Sequence, residues 1–428
     1  MDRLMDVADA PVANRRRWLI CGLLFVATGL NYVDRQMIGL LKPTLQAEFG
    51  WSEIGYGDIV FWFQAAYALG YIGFGGIIDR IGARLGYAAA YGVWTLAHML
   101  HAAAHGIASF AGVRFLLGLG ESGNFPAGLK AVAEWFPAEE RAFATGIFNA
   151  GSNIGAIVTP LAVPALTLAF GWRAAFVVTG LVSLPWLAVW LWAYRLPHRR
   201  EEDLSVSIEP PARLGWRAVL GRRTTWTYAA AKFMTDPVWW LFLFWLPDFL
   251  HRRHGLDLKS FGPPLVAIYL MSDLGSVAGG WLSSRLMRRG WGVLRARQAA
   301  MLVCAVAVTP IMVVPWVDGL WPAVLLIGIA AAAHQGWSAN LMTLPSDIVP
   351  KPALGSTIGI GGAAGAVGGM AMTQLVGNVL ERTGSYWAIF LAAGTLYLLA
   401  LAVVHLALRR VPATATAMPD GGVAGRTE

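Results

Sequence analysis

Four ionisable residues stand inside long apolar runs: Asp34 and Arg35 in the run 18–41, Arg114 and Glu121 in the run 107–130. An unpaired charge at the centre of a bilayer costs at least ~2.5–3.5 kcal/mol on insertion scales, so such residues need partners or a water-filled cavity. Arg114 and Glu121 are seven residues apart, nearly two helical turns, which puts both on one side of a helix. Gly118 and Gly120 between them leave space beside that side. Arg35 has the chemistry to grip a carboxylate: its planar fork matches both oxygens and it stays charged at any relevant pH. Groups that could meet hydroxyls are Asn149 and Asn153, spaced i and i+4, and Gln335, Trp337 and Asn340, which offer amides and a flat apolar surface. For each of these, a contact that merely joins two helices is the alternative reading.

Other chemistry-bearing residues have plainer readings. Lys232 and Asp236 are i and i+4, so they form either a structural pair or a gate where Pro237 breaks the helix just after them. Asp273 stands beside Ser272 and Ser276 without an evident role. His98, His101 and His105 approach metal-ligand spacing, but no carboxylate is evident beside them and no metal is expected. His334 reads as a buried, satisfied histidine. No nucleophile–base set is present, so an enzyme and a cofactor are not expected.

The elements that must position these residues follow from composition. Apolar residues make up 57% of the 428, with 49 glycines besides and only 14% charged. A soluble fold cannot cover such a chain with polar surface, and disorder needs low hydrophobicity. Two cysteines in apolar runs exclude a disulfide scaffold and a Cys-ligated zinc or iron–sulfur site. Runs long enough to cross a ~30 Å hydrocarbon core occur at 18–41, 54–78, 85–104, 107–130, 142–169, 173–195, 224–250, 261–285, 298–316, 319–346, 354–380 and 384–408. They are continuous and rich in Leu, Ala and Gly, unlike the alternating strands of a barrel. Alternating the loops between two sides puts most of the 33 basic residues with the N-terminus, which predicts cytoplasmic termini. The net charge of +8 follows from that bias and needs no nucleic acid. Arg15–Arg17 before the first run resembles a secretion signal, but the run is too long and ends in Asp34–Arg35.

A polar stretch, Pro197–Arg223, divides the runs six and six. The expected organisation is an N-terminal segment 1–17, a six-helix lobe 18–195, a central loop 196–223, a second lobe 224–410 and a disordered tail 411–428. Gly75-Gly76 ending the second run matches Gly279-Gly280 ending the eighth, and Gly151–Ala156 matches Gly361–Ala366, at offsets of 204 and 210 residues. Six-helix repeats with a site between them are a transporter architecture.

Gly75-x3-Asp79-Arg80-x-Gly82-x-Arg84 and Arg114-x3-Gly118-x-Gly120 resemble two motifs of the major facilitator superfamily, with Leu85 where another basic residue is usual. Asn31–Arg35 and Gly120–Ala127 resemble that superfamily's anion:cation symporters of organic acids. Lys232–Trp240, Phe244–Pro247 and His334–Asn340 resemble bacterial hexuronate transporters. The likeness covers about residues 15–410. It implies an all-α integral membrane fold of twelve transmembrane helices in two six-helix lobes. It implies that Arg35 binds the substrate carboxylate and that Glu121 takes the proton. Asp34 and Arg114 would form a second ionic link tuning that proton site. Tyr32 and Tyr67 match ligand-side tyrosines, and Asp79, Arg80 and Arg84 an inner gate with Arg141 as partner of Asp79. The glycine run Gly359–Gly362 stands where a related gluconate-type carrier would place an asparagine, and is expected to open space for a ring-closed substrate.

The expectation is therefore a monomeric, proton-coupled symporter of the bacterial inner membrane that imports a sugar acid, a hexuronate first. Another organic anion, a hexonate, hexarate or aromatic acid, is the alternative, and a proton-driven drug exporter the remoter one. Its partners would be a small carboxylate sugar, protons and the lipid bilayer.

Overall fold

The computed structural model of the protein describes residues 6–136, 138–194 and 216–409. Most of the polar central loop, the tail and the side chain of Asp79 lie outside the described residues. The chain runs α1 (Asp6–Phe49), α2 (Glu53–Leu100), a short 3-10 turn, α3 (Ile107–Glu121), α4 (Asn124–Trp135), α5 (Ala138–Ala193) and α6 (Trp216–Leu220). It continues with α7 (Arg223–Phe244), α8 (Leu246–His254), α9 (Gly262–Arg288), α10 (Val293–Val308), a 3-10 stretch (Thr309–Trp316), α11 (Leu320–Ile348), α12 (Lys351–Thr383) and α13 (Trp387–Leu408). No strand occurs among the described residues.

Several expected runs map onto parts of these helices, and the breaks have local causes. α2 and α5 are each interrupted at one glycine, Gly82 (φ 81°) and Gly171 (φ 82°), in the left-handed region that side chains disfavour. Gly86 then packs against Ile78, so the chain folds back on itself at Gly82. The run 107–130, expected as one helix, turns at Ser122–Gly123 between α3 and α4. Pro126 has no N–H for the Ser122 carbonyl, which removes the hydrogen bond that would continue the helix. The break expected at Pro237 is absent, because α7 runs through it to Phe244 and the chain breaks at Trp245, before Pro247. The Phe233 carbonyl that Pro237 leaves without an N–H donor lies against Gly368 of α12, where a side chain would not fit.

Six helical stretches are long and apolar enough to cross a membrane by composition, from α5 and from α9 to α13. Among the others, α1 carries Asp34 and Arg35, α7 carries Lys232 and Asp236, and α3 is shortened by the turn after Glu121.

Helix packing repeats between the two halves. In the first, Gly151 and Gly155 of α5 seat against Phe25 and Gly29 of α1, where an added Cβ would lie only 2.1–2.3 Å from backbone oxygens. In the second, Gly361, Gly365 and Gly368 of α12 seat against Tyr228, Asp236 and Phe233 of α7. Gly118 and Gly120 of α3 close on α2 as Gly275 and Gly279 of α9 close on α11. Small residues let backbones approach where no hydrophobic effect drives helices together. The halves meet where Gly57 of α2 packs on Thr373 and Gly377 of α12.

Candidate functional site

α1 and α3 bring the four midchain charges together. Arg35, 4% exposed, directs both Nε and Nη2 to Glu121 Oε2 at 2.8 Å and Nη2 to Asn31 Oδ1 at 3.1 Å. Glu121 is fully buried, and its Oε1 has no hydrogen-bond partner among the described residues. Four rings surround the guanidinium: Tyr67 at 4.8 Å, Tyr32 at 4.9 Å, Trp240 at 5.6 Å and Phe63 at 5.7 Å. Cations favour such ring faces, more so without water. Three of these rings come from the first half and Trp240 from α7, so both halves close on Arg35. Trp240 belongs to the motif stretch Lys232–Trp240, and nothing local in the sequence marks it as the ring that crosses the interface.

Asp34 and Arg114 do not form the expected ionic link. Arg114 donates from Nη2 to the Arg35 carbonyl at 2.9 Å and lies against Phe63 and Phe244. Asp34 Oδ1 instead lies 3.3 Å from Nε2 of His98 on α2. The physical reason is helical geometry: adjacent residues project in different directions, so Arg35 turns toward α3 and Asp34 toward α2. This also corrects the expectation that no carboxylate lies near the histidines.

The neutral candidates divide. Tyr32 and Tyr67 stand on Arg35. Asn149 is exposed and Asn153 half-buried, near Ser152, whose hydroxyl donates to the Asn149 carbonyl at 2.6 Å. Gln335 is half-buried. Trp337 is fully buried, donating to Thr235 Oγ1 at 3.2 Å and edge-on to Tyr397, so it is not an open stacking surface. Asn340 is buried and donates to the Gly279 and Gly336 carbonyls, tying α11 to α9. Its amide N–H groups are thus helix-joining contacts. Gly361 packs tightly on Tyr228, contrary to the expected opening, whereas Gly359 and Gly362 do face open space. Lys232 and Asp236 pair at 2.7 Å within the unbroken α7. Asp273 is half-buried and forms no ion pair among the described residues. His334 bonds Tyr397 at 2.5 Å and stacks on Trp239.

At the helix ends nearest the N-terminal segment, the cations lie on carbonyls. Arg84 donates to Leu191 O at 2.6 Å, Lys130 to Ile78 O at 2.9 Å and Arg141 to Ala133 O and Phe136 O at 3.0 Å each, while Arg80 is exposed. Cations at helix C-termini complement the dipole and cap open carbonyls.

The opposite end holds a cluster the sequence did not announce. Lys42 of α1 bonds Glu53 of α2 at 2.7 Å and Asp248 of α8 at 2.8 Å. Arg252 of α8 bonds Asp248 at 2.7 Å and also reaches Glu53. The four charges form a closed alternating ring, two from each half. Tyr386 donates to Asp248 at 2.6 Å within the second half, and the Glu53 N–H to Glu381 at 2.8 Å adds a further bond across the halves at this end. Nearby, hydrogen bonds from Trp172 and Arg173 hold the Glu48 carboxyl below its usual range.

The family model described as Major Facilitator Superfamily matches residues 24–373. The chain belongs to the major facilitator superfamily. This major facilitator protein is 30% identical over 414 residues to the hexuronate transporter of Escherichia coli K12, covering 93% of this chain and 95% of that one. It is 33% identical over 280 residues to the galacturonate transporter of Dickeya chrysanthemi, covering 62% and 81%. Its fold matches, at TM-score 0.75 and 18% identity over 95% of this chain and 99% of the other, a bacterial homolog of the human lysosomal transporter Spinster, solved inward-facing and unoccupied. The major facilitator protein is a membrane transporter and not an enzyme, as its sequence motifs imply.

Proposed function

We propose that this transporter carries a sugar acid, a hexuronate such as galacturonate or glucuronate, into the cell together with protons, by alternating access. The observation that carries the reading is the Arg35–Glu121 contact. Arg35 is the buried cation best shaped for a carboxylate, and an acid of this chain occupies it. A substrate carboxylate and Glu121 compete for the same guanidinium. Protonating Glu121 weakens the competitor, so proton and substrate favour each other's binding, the thermodynamic requirement of coupling. The rings of Tyr32, Tyr67 and Trp240 offer flat apolar faces and hydroxyls to a pyranose. The similarity to the two sugar-acid carriers supports the substrate class. Moving one negative charge inward against the potential costs about 2.3 kcal/mol per 100 mV, which one accompanying proton cancels.

The reading places the protein in the bacterial inner membrane with both termini cytoplasmic. Proteoliposome uptake over hexuronates, hexonates, hexarates and aromatic acids, with and without an imposed pH gradient, tests it. Hexuronate accumulation that depends on the gradient is the expected result. Accumulation of a hexonate or aromatic acid instead would assign another substrate, and uptake blind to the gradient would remove the coupling.

A further inference from the structure

Lys232 and Asp236 form an ion pair that joins no two helices. Lys232 Nζ lies 2.7 Å from Asp236 Oδ2, one turn further along α7, and the side chains are 7% and 22% exposed. Neither makes another ion pair among the described residues. Taking two charges out of water is costly, and a pair within one helix offsets none of that cost by holding helices together. The neighbouring helix makes room for it: residue 365 of α12 is glycine, where an added Cβ would lie 2.2 Å from Asp236 Oδ2. One mutual bond leaves the ammonium with further donors and the carboxylate with further lone pairs.

The pair lies beside the ring that reaches Arg35. Lys232, Asp236 and Trp240 are spaced by four and share one side of α7. The Trp240 ring is 5.6 Å from the Arg35 guanidinium and 6.1 Å from Tyr67. Asp236 stands about 6 Å and Lys232 about 12 Å further along the helix axis. Trp240 and Asp236 are half-buried, so this side of α7 is not sealed. From the first half, Tyr71 of α2 lies 5.6 Å from Tyr67, ring to ring, and within electrostatic reach of both Arg35 and Tyr228. The charges of Lys232 and Asp236 both act on Tyr228, one turn before Lys232. A line of polar groups therefore runs from Arg35 through Tyr67 and Tyr71 to Tyr228 and the pair.

We propose that the Lys232–Asp236 pair determines specificity at the far end of the substrate, meeting hydroxyls and turning away a second carboxylate. This deepens the sugar-acid reading and rests on it. With one carboxylate on Arg35, the remainder of a six-carbon acid extends past Trp240 along α7. A neutral pair offers donors and acceptors together, as hydroxyls require. A second carboxylate would meet an ammonium already neutralised and an acid that repels it, which is discrimination by an unfavourable contact. Asp236 thus keeps Lys232 from becoming a second anion site.

Calorimetry on the purified full-length protein, with competition for the weaker ligand, compares galacturonate with galactarate, which carries a second carboxylate in place of the hemiacetal carbon. The wild type should prefer galacturonate. In Asp236→Asn the ammonium is freed, and the ratio of galactarate to galacturonate affinity should rise about ten- to a hundredfold, the worth of one charge-assisted bond. Adding Lys232→Gln to that variant should return the ratio to near the wild-type value. A pair that only stabilises α7 would shift the melting temperature and leave the ratio where it was. An unmoved ratio in Asp236→Asn, a rise that persists without Lys232, or a wild type that prefers galactarate overturns the proposal. Should Asp236→Asn fail to fold, Lys232→Gln decides: its uncompensated carboxylate must lower the ratio, and a ratio at or above the wild-type value overturns the proposal. A wild type that binds no sugar acid refutes the sugar-acid reading and the proposal with it, whereas galacturonate binding with an unmoved ratio refutes the proposal alone.

Discussion

Lys42→Met cuts one of the two links by which the ionic ring joins the halves. Lys42 and Asp248 are 0% and 2% exposed in their side chains and 2.8 Å apart, so their bond is shielded from water. The other crossing link, Arg252 to Glu53, involves an arginine 34% exposed, so solvent screening reduces it to about 0–1 kcal/mol. Lys42 to Glu53 lies within the first half and persists whether this end is open or shut, so it cancels. After the substitution Asp248 still has Arg252 and Tyr386, and no buried charge is stranded. The closed state should then lose about 1.5–3 kcal/mol relative to the open one, roughly ten- to a hundredfold in their ratio. Spin labels at exposed positions His105 and Lys259, in a background without Cys21 and Cys304, report the opening by pulsed distance measurement. The long-distance population should rise by that factor. Exchanging the pair, Lys42→Asp with Asp248→Lys, should not restore closure, because the introduced carboxylate would then face Glu53 and the introduced ammonium would face Arg252. An unchanged distance distribution in Lys42→Met, or recovery by the simple exchange, would refute the ring argument.

Three further outcomes are expected. Arg35→Lys keeps the charge and loses the fork, so hexuronate binding by calorimetry should weaken about ten- to a hundredfold, and Arg35→Ala should abolish it. Glu121→Gln should exchange labelled for unlabelled hexuronate across vesicles yet fail to accumulate it under a pH gradient, because the amide cannot release a proton. Gly279→Ala would set a Cβ 2.4 Å from the Gly336 Cα and should destabilise by about 1–3 kcal/mol in thermal melts, while Gly280→Ala, facing open space, should melt as the wild type.

The helices were legible because their apolar runs are long and their glycines periodic, and Gly151 and Gly361 do fill equivalent roles in packing. Arg35 and Glu121 were legible as site candidates because charge inside an apolar run demands a partner, but their bond to each other was not. What the residues around them do was less so. Asn340 and Trp337 have the chemistry of ligands, but their partners come from α9 and α7, and sequence spacing does not show which side of α11 meets a neighbour. Asp34 follows the same logic, since only the tertiary fold brings His98 of α2 to it. Pro237 and Pro247 look alike in sequence. The carbonyl that Pro237 frees lies against Gly368, and α7 runs on through Pro237 to Phe244. The ring was hidden for another reason: Lys42, Glu53, Asp248 and Arg252 sit at helix ends, where charges are ordinary, and its crossing pairs are about two hundred residues apart.

The ring has an electrical consequence. Each half contributes one cation and one anion, bonded to each other within that half as Lys42–Glu53 and Asp248–Arg252. When this end opens, two neutral pairs move apart and no net charge travels through the membrane field. A single unbalanced charge carried across it would tie opening to voltage by about 2.3 kcal/mol per 100 mV. The ring leaves this movement electrically silent, so on the proposed mechanism the voltage dependence of a transport cycle falls on the substrate and proton sites, for which Arg35 and Glu121 are the proposed groups.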